Sequence, residues 1–193
     1  YFRALKIDSA LGNMSRIAIW LGNIGTVYMK QDDYPKALIF YFPALEIVST
    51  LGNKNRIATL LSNIGLVYKN QGDYPKAIHH YFRALELDST LGNKIGMAVL
   101  LGNIGTLYAK TGEFGKAENY LTRALAVSME IGALLSRKYH HKYFVTLYDT
   151  LAQLTGKGKT LHIKGTKRSE GDYWRLAYEH HQKYKACKDS LFS

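Results

Sequence analysis

Cysteine is almost absent from this sequence of 193 residues, since Cys187 is the only one. A single thiol excludes an internal disulfide and any zinc site built from several cysteines, and it leaves the redox compartment open. Proline is nearly as rare, with three residues. The scarcity of proline, with abundant alanine and leucine, favours long helices over a strand-rich sandwich. The expected fold class is therefore all-α.

Long apolar runs are also lacking. No stretch approaches the roughly 18 apolar residues that a membrane-crossing helix needs, and the first residues do not form a basic-then-apolar leader. We therefore expect a soluble fragment, with the compartment open between cytoplasm and periplasm. The chain opens without an initiator Met and in the middle of a repeat, so we interpret it as a piece of a longer protein with an output domain elsewhere.

Catalytic motifs are missing as well. Ser, His and Asp occur, but none lies in a nucleophile-elbow motif, and no paired carboxylates mark a cleft. Residues 156–160, Gly-Lys-Gly-Lys-Thr, resemble the end of a phosphate-binding loop but lack its upstream glycine and its preceding strand. The sequence thus predicts neither enzyme activity nor a cofactor for these residues, and it leaves open a catalytic domain elsewhere in a longer chain.

Three adjacent histidine pairs raise the question of a metal site: His79-His80, His140-His141 and His180-His181. Neighbouring residues on a helix point about 100° apart, so a pair cannot chelate as histidines four residues apart do. We predict no metal site, and packing or surface roles for these side chains.

What the chain does contain is a repeat with a step of 40 residues. Tyr1-Phe2-Arg3-Ala4-Leu5 recurs at 41–45 with Pro43 in place of Arg, at 81–85, and more loosely at 121–125. A second block, Leu-Gly-Asn-Ile-Gly-Thr-Val-Tyr at 21–28, recurs at 61–68 and 101–108. Self-similarity at such a period is typical of solenoid architectures.

Each repeat unit reads as two amphipathic helices. Leu21, Ile24, Gly25 and Tyr28 follow the spacing of one apolar helix face. An Asp-Tyr-Pro turn between the helices supplies an N-cap and a proline in the first helical turn, and the Leu-Gly-Asn segments supply a C-terminal glycine. The small residues Gly25, Gly65 and Gly105, opposite Ala37, Ala77 and Ala117, predict close approach of the paired helices.

These residues resemble the tetratricopeptide repeat family. Gly65, Tyr68, Ala77, Tyr81 and Ala84 match the five positions of its pattern, although the step here is 40 residues rather than the usual 34. The resemblance implies a right-handed superhelical solenoid of antiparallel helix hairpins, with the first helix of each unit on the concave side. The closing residues 188–192 are similar to the end of the repeat region in bacterial signalling proteins that carry a histidine kinase, cyclase or DNA-binding output domain.

The predicted organisation is a single array. Residues 1–13 form the second helix of a truncated repeat, followed by repeats at 14–53, 54–93 and 94–132. An irregular fourth repeat spans 133–193 and carries a basic inserted loop at about 156–170. The truncated first repeat exposes apolar residues around Leu5, through which a homodimer can form.

The predicted peptide groove follows the first helices, on positions beside the apolar stripe. Asn23, Asn63 and Asn103 form a ladder whose amides can pair with the main chain of an extended ligand. In the alternative interpretation, these amides bond to neighbouring helices and hold the repeats in register. The other groove candidates on these helices are Thr26, Lys30, Asn70, Thr106 and Lys110.

In the fourth repeat the groove positions change character, with Tyr139, Lys142 and Tyr143 in place of small polar groups. Two aromatic rings and a cation suit a ligand anchor. The alternative is that the tyrosines cap the end of the stack or pack on the inserted loop.

Charge is uneven along the chain. Residues 132–193 hold 12 Lys and Arg against 5 acidic residues (+7), and residues 1–131 hold 14 against 10 (+4), which together give the net charge of +11. The inserted loop contributes Lys157, Lys159, Lys164, Lys167 and Arg168. This basic part offers an alternative function, the binding of nucleic acid or an anionic surface. No recognition-helix motif accompanies it, so we favour a solvated loop and a protein or peptide ligand.

Overall fold

The computed structural model describes residues 1–157, 162–163 and 166–190, and within them it has nine helices in two compact units. Unit 1, residues 1–93, contains α1 (Phe2–Ala10), α2 (Met14–Lys30), α3 (Tyr34–Thr50), α4 (Lys54–Asn70) and α5 (Tyr74–Thr90). Unit 2, residues 94–193, contains α6 (Lys94–Lys110), α7 (Phe114–Glu130), α8 (Leu134–Gly156) and α9 (Glu170–Asp189). The prediction of an all-α fold made of consecutive helix pairs is confirmed.

Two short strands interrupt the second unit: β1 (His162–Ile163) pairs antiparallel with β2 (Thr166–Lys167). The sequence interpretation of the whole basic insertion as a loop is therefore wrong for these residues. Ile163 and Thr166 are β-branched and pair with each other across the hairpin, which is where such residues are favoured. Residues 158–161, 164–165 and 191–193 lie outside the described part of the chain.

Helix ends follow the turn chemistry of the repeat. The Asp33 and Asp73 side chains accept hydrogen bonds from the backbone amides of Lys36 and Lys76, as N-caps do. In the Leu-Gly-Asn turns, Gly52 has a left-handed φ of +67°. The asparagine that follows, Asn53, caps the next helix through the amide of Arg56. The turn thus ends one helix and begins the next.

Within each hairpin a glycine sets the distance between the two helices. A Cβ added at Gly25 would lie 2.8 Å from Tyr41 Cδ1 and 3.1 Å from the carbonyl oxygen of Ala37. At Gly65 the ring of Tyr81 stands equally close, and at Gly105 the side chain of Leu121 does. The predicted close approach of paired helices is therefore confirmed.

The tyrosine three residues after each of these glycines packs in a repeated sandwich. Tyr28 stacks on Phe40 with ring centroids 5.4 Å apart, and Lys36 Nζ lies 5.4 Å from the centroid of the same tyrosine ring. The pattern recurs one repeat later with Tyr68, His80 and Lys76. His80 thus replaces Phe40 as a stacking ring, in line with the packing role predicted for the histidine pairs.

Unit 2 contains a buried polar network beside its apolar core. The carboxylate of Glu118 on α7 accepts a hydrogen bond of 2.7 Å from the Tyr148 hydroxyl and one of 2.9 Å from Arg168 Nη1. Glu118 is 4% exposed and Tyr148 is also buried. Arg168, the residue after β2, is thereby attached to the α7–α8 pair.

Candidate ligand-binding groove

A cavity of about 160 Å³ lies in unit 1 among α2, α3 and α4, and we call it the α2–α4 cavity. Its walls combine a small apolar floor with polar side chains. The lining residues are Ala18, Ile19, Gly22, Asn23 and Thr26 of α2, Val48 of α3, and Arg56, Thr59, Leu60 and Asn63 of α4. The structure therefore brings together three of the predicted groove residues, Asn23, Thr26 and Asn63.

The amides of Asn23 and Asn63 have unused hydrogen-bonding capacity. Neither side chain hydrogen-bonds to a residue in the described part of the chain. An amide carries a carbonyl acceptor and an NH2 donor, so both groups can serve a ligand in the cavity. Holding the repeats in register would require a bond to a neighbouring helix, which these two side chains do not make. Their ligand-binding role stays a prediction.

Thr26 lies in the cavity wall, but its hydroxyl is already hydrogen-bonded within the protein. Its Oγ1 donates to the carbonyl oxygen of Gly22 at 3.0 Å and lies 3.0 Å from the Tyr41 hydroxyl. Tyr41 is fully buried, and this burial raises the pKa of its hydroxyl. The threonine thus satisfies a buried phenol, a role that its position beside the apolar stripe did not indicate.

Two further groove candidates of unit 1, Lys30 and Asn70, do not line the α2–α4 cavity. Both lie exposed at the last residue of their helices, α2 and α4. Asn70 interacts with the hydroxyl of Tyr34, whose pKa is raised chiefly by its hydrogen bond to Asp32. These residues are therefore placed at the end of the hairpin rather than at the cavity.

Sequence reasoning missed Arg56, the one positive charge of the cavity lining. The equivalent residue one repeat earlier is Arg16, whose Nε lies 3.2 Å from the carboxylate of Asp8. The position equivalent to Asp8 in the next repeat is Val48, so Arg56 has no such carboxylate partner. Comparing Asp8 with Val48 along the 40-residue step was the signal that could have identified it.

In unit 2 the predicted groove residues lie on α6 and α8, which contact each other. They are Asn103, Thr106 and Lys110 on α6, and Tyr139, Lys142 and Tyr143 on α8. The Thr106 hydroxyl donates to the carbonyl oxygen of Asn103 at 2.8 Å, so it is committed to its own helix. Lys110, Tyr139 and Lys142 are exposed.

A histidine fills the contact between α6 and α8. A Cβ added at Gly102 would lie 2.8 Å from His140 Nε2 and 3.8 Å from Tyr143 Cε2. His140 is 3% exposed, and its Nδ1 lies 3.1 Å from Ser128 Oγ. Burial lowers the pKa of His140, so its neutral form is favoured. Tyr143 packs beside this buried ring, whereas Tyr139 does not share its burial, being 48% exposed.

The basic insertion is only partly available as a charged surface. Lys157 is exposed, Lys167 lies in β2, and Arg168 pairs with buried Glu118. Lys159 and Lys164 lie outside the described residues. Of the five predicted cations, one is therefore neutralised internally.

Residues 1–157, 162–163 and 166–190 contain no group of three or more His, Cys, Asp or Glu side chains arranged to hold a metal ion. None of the helices there has both the length and the apolar character needed to cross a bilayer.

Comparison with known proteins gives a consistent picture of the fold. The sequence profile described as tetratricopeptide repeat matches residues 16–90 and, one repeat later, 56–130. No curated protein sequence matches the chain.

Several solved structures have similar folds at low sequence identity. BtubC from P. vanneervenii has a TM-score of 0.63 at 16% identity, over 97% of this chain and 85% of its own. The apo form of RapI has a TM-score of 0.67 at 18% identity, over 95% and 75%. A signal-transduction ATPase from Pyrococcus horikoshii with a tetratricopeptide repeat sensor has a TM-score of 0.70 at 15% identity, over 91% of this chain and 25% of its own.

Proposed function

The chain belongs to the tetratricopeptide repeat family, whose fold is a protein-interaction scaffold, and we propose that it binds an extended peptide segment of a partner protein. The α2–α4 cavity is the observation that carries this proposal. Its wall presents the Asn23 and Asn63 amides without internal hydrogen bonds, above an apolar floor. Such amides recognise the main chain of an extended ligand, while the floor receives its side chains.

The proposed context is a larger signalling protein of bacterial type, in which this array senses a partner and an output domain responds. The fold it shares with a quarter of a signal-transduction ATPase that has a tetratricopeptide repeat sensor supports this context. Because that chain is only 15% identical, the support extends to the kind of scaffold. No catalytic role for residues 1–193 enters the proposal.

The size of the α2–α4 cavity favours a peptide over a small metabolite. Pockets for cofactors and drug-sized ligands occupy about 300–1,000 Å³. The cavity here has about 160 Å³, which suits a single side chain with its neighbouring main chain.

An array of ten-residue peptides probed with the full chain tests the proposal. Binders are then titrated by fluorescence anisotropy against the wild type, Asn63→Ala and the control Asn55→Ala, which changes an exposed asparagine of the same helix outside the cavity. We expect Asn63→Ala to weaken binding about fivefold, the effect of losing one hydrogen bond, and Asn55→Ala to have no effect. Unchanged affinity in Asn63→Ala, with folding verified by circular dichroism, would count against the groove.

The basic end of the chain gives a second candidate, binding of nucleic acid, because residues 132–193 carry a charge of +7 from 12 basic and 5 acidic residues. Titration with duplex and single-stranded DNA at physiological salt separates it from the first. The variants neutralise Lys157, Lys164 and Lys167 and leave Arg168 intact, because Arg168 stabilises Glu118. Steep salt dependence that disappears in this variant would support nucleic-acid binding.

A further inference from the structure

One position of the repeat alternates between a carboxylate and an apolar residue. Asp8, Val48 and Asp88 occupy it on α1, α3 and α5, and in the first two cases the helix that follows carries an arginine, Arg16 or Arg56. Asp8 is 1% exposed. Its carboxylate accepts a hydrogen bond of 2.6 Å from Trp20 Nε1 and forms an ion pair with Arg16. The space between α1 and α2 is thus filled by an acidic side chain of the protein itself.

The equivalent space between α3 and α4 has the arginine but not the acidic residue. Arg56 corresponds to Arg16, while Val48 and Leu60 replace Asp8 and Trp20. Both replacements are buried apolar side chains, with Val48 1% and Leu60 7% exposed. Neither can form the hydrogen bond that joins Asp8 to Trp20. The guanidinium of Arg56 forms no ion pair with any described residue. The α2–α4 cavity lies where the closing groups are missing.

From this comparison we propose that the α2–α4 cavity binds an internal Asp or Glu side chain of the partner peptide, whose carboxylate pairs with Arg56 as Asp8 pairs with Arg16. This inference rests on the peptide-binding function proposed above and names the chemistry of the ligand. The methylene groups of the acidic side chain cover Val48 and Leu60, and the peptide main chain beside it reaches the Asn23 and Asn63 amides. Arginine suits this role because its planar fork of donors matches a carboxylate.

The chain itself supplies the evidence for charge complementarity. The same arginine position, on the same turn of the following helix, already selects a carboxylate at Asp8. A cavity with one cation and no anion in its lining favours an acidic over a basic or neutral side chain. A peptide that contributes Asn or Gln keeps the shape but loses the charge-assisted bonds.

The test compares peptides with one internal Asp or Glu against the same peptides with Asn or Gln, all amidated at the C-terminus to remove the terminal carboxylate. The starting sequences are binders from the ten-residue array. With wild-type protein we expect the acidic peptides to bind about tenfold more tightly, and Arg56→Gln to abolish that preference. Raising the salt concentration should weaken the acidic peptides more than their amide counterparts.

Two further variants address folding and position. Arg16→Gln changes the equivalent arginine, which lies outside the cavity lining, and should leave the preference for acidic peptides intact. Val48→Asp places an internal carboxylate opposite Arg56 and should remove the preference by competition, whereas Val48→Asn should do so only weakly. Circular dichroism and thermal unfolding establish that each variant is folded before its affinities are compared.

The possible failures are distinguishable. Equal binding of acidic and amide peptides, with Asn63→Ala weakening both, overturns the acidic subsite and leaves the groove function standing. A preference that survives in folded Arg56→Gln also overturns the subsite. Preference only for a free C-terminal carboxylate shows that a different anion occupies the cavity and overturns the assignment to an internal side chain. Absence of any binder in the array overturns both proposals.

Discussion

The Nδ1 atoms of His141 on α8 and His180 on α9 lie 2.9 Å apart. One ring must donate its proton to the other at this distance, so the pair is compatible with two neutral imidazoles and not with two imidazolium ions that both carry a proton on Nδ1. The His180 ring packs beside Phe144 and Tyr148. The histidine pair therefore joins the last two helices of unit 2 through a contact that depends on protonation.

This contact predicts loss of stability in acid. Burial, reinforced by the nearby Lys183, lowers the pKa of both His141 and His180 from 6.5 to about 4. Unfolding returns both groups to their ordinary pKa, so the unfolded state binds more protons below pH 6.5 and the free energy of unfolding falls as the pH drops towards 4. We expect each histidine to contribute a loss of about 2 kcal/mol between pH 7.5 and pH 5.

Urea unfolding of the wild type and of His180→Gln at the two pH values measures this effect. The variant should lose the contribution of His180, about 2 kcal/mol, whereas His80 and His140, whose pKa values burial also lowers, should keep theirs. The control His79→Gln changes an exposed histidine on α5 and should keep the contribution of the His141–His180 pair. Identical pH profiles for all three proteins would contradict the assignment. Lys183 and Arg137, with His140 adjacent, disfavour protonation of the pair further, whereas Glu118 on α7 acts in the opposite direction on His180.

Two glycines of α2 should respond in opposite directions to alanine. Gly25→Ala inserts a Cβ 2.8 Å from the Tyr41 ring, so we expect a loss of about 2 kcal/mol from overpacking. Gly22→Ala places its Cβ at 3.5 Å from Leu60 Cδ2, an ordinary contact, and should gain up to about 1 kcal/mol from helix propensity. Thermal or urea unfolding of both variants measures the difference. Equal effects would show that the close approach at Gly25 does not limit the packing of α2 on α3.

The turn before α3 contains a residue whose replacement should stabilise the protein. Asp32 has a φ of +57°, whereas Gly72 and Gly112 at the equivalent positions have φ of +81° and +82°. Asp32→Gly removes the steric cost of the left-handed conformation at the expense of an exposed hydrogen bond from the Tyr34 hydroxyl. We expect a gain of about 0.5 kcal/mol in the free energy of unfolding. The reciprocal change Gly72→Asp should lower it by a similar amount, and a shift of the same sign in both would refute the argument.

Arg168 should contribute more to the free energy of unfolding than the other cations of the basic insertion. Arg168→Ala leaves the buried Glu118 carboxylate without its guanidinium and should cost about 3 kcal/mol, as breaking a buried ion pair does. Adding Glu118→Gln should recover part of that loss, because it replaces the carboxylate that has lost its guanidinium with a neutral amide. Lys157→Ala changes an exposed cation of the same segment and should alter stability by less than about 0.5 kcal/mol. Equal effects of Arg168→Ala and Lys157→Ala would contradict the pairing.

The local features of the fold could be predicted from the sequence because they recur. The caps at Asp33 and Asp73, the left-handed Gly52 and the small residue at Gly25 are each determined by a few neighbouring residues, and the 40-residue step shows them repeatedly. A pattern of this kind needs no knowledge of distant contacts.

The features that could not be predicted depend on distant partners. Arg168 and Glu118 are 50 residues apart in sequence, and nothing in either segment indicates the other. The hydroxyl of Thr26 is used by Tyr41, which lies 15 residues away on the paired helix. Arg56 was missed for a different reason. It differs from Arg16 only because Val48 replaces the acidic partner, and a repeat pattern shows the positions that recur rather than the ones that change.

The three occupants of one repeat position, Asp8, Val48 and Asp88, show that hairpins with the same helices and turns can differ in their inward chemistry. Asp8 bonds to Trp20 and Arg16, whereas Asp88 accepts a hydrogen bond from Asn93, and Gly96 stands where the first two repeats have an arginine. Exchanging Val48 for Asp and Leu60 for Trp should therefore reproduce, at the α2–α4 cavity, the contacts that Asp8 makes in the repeat before it.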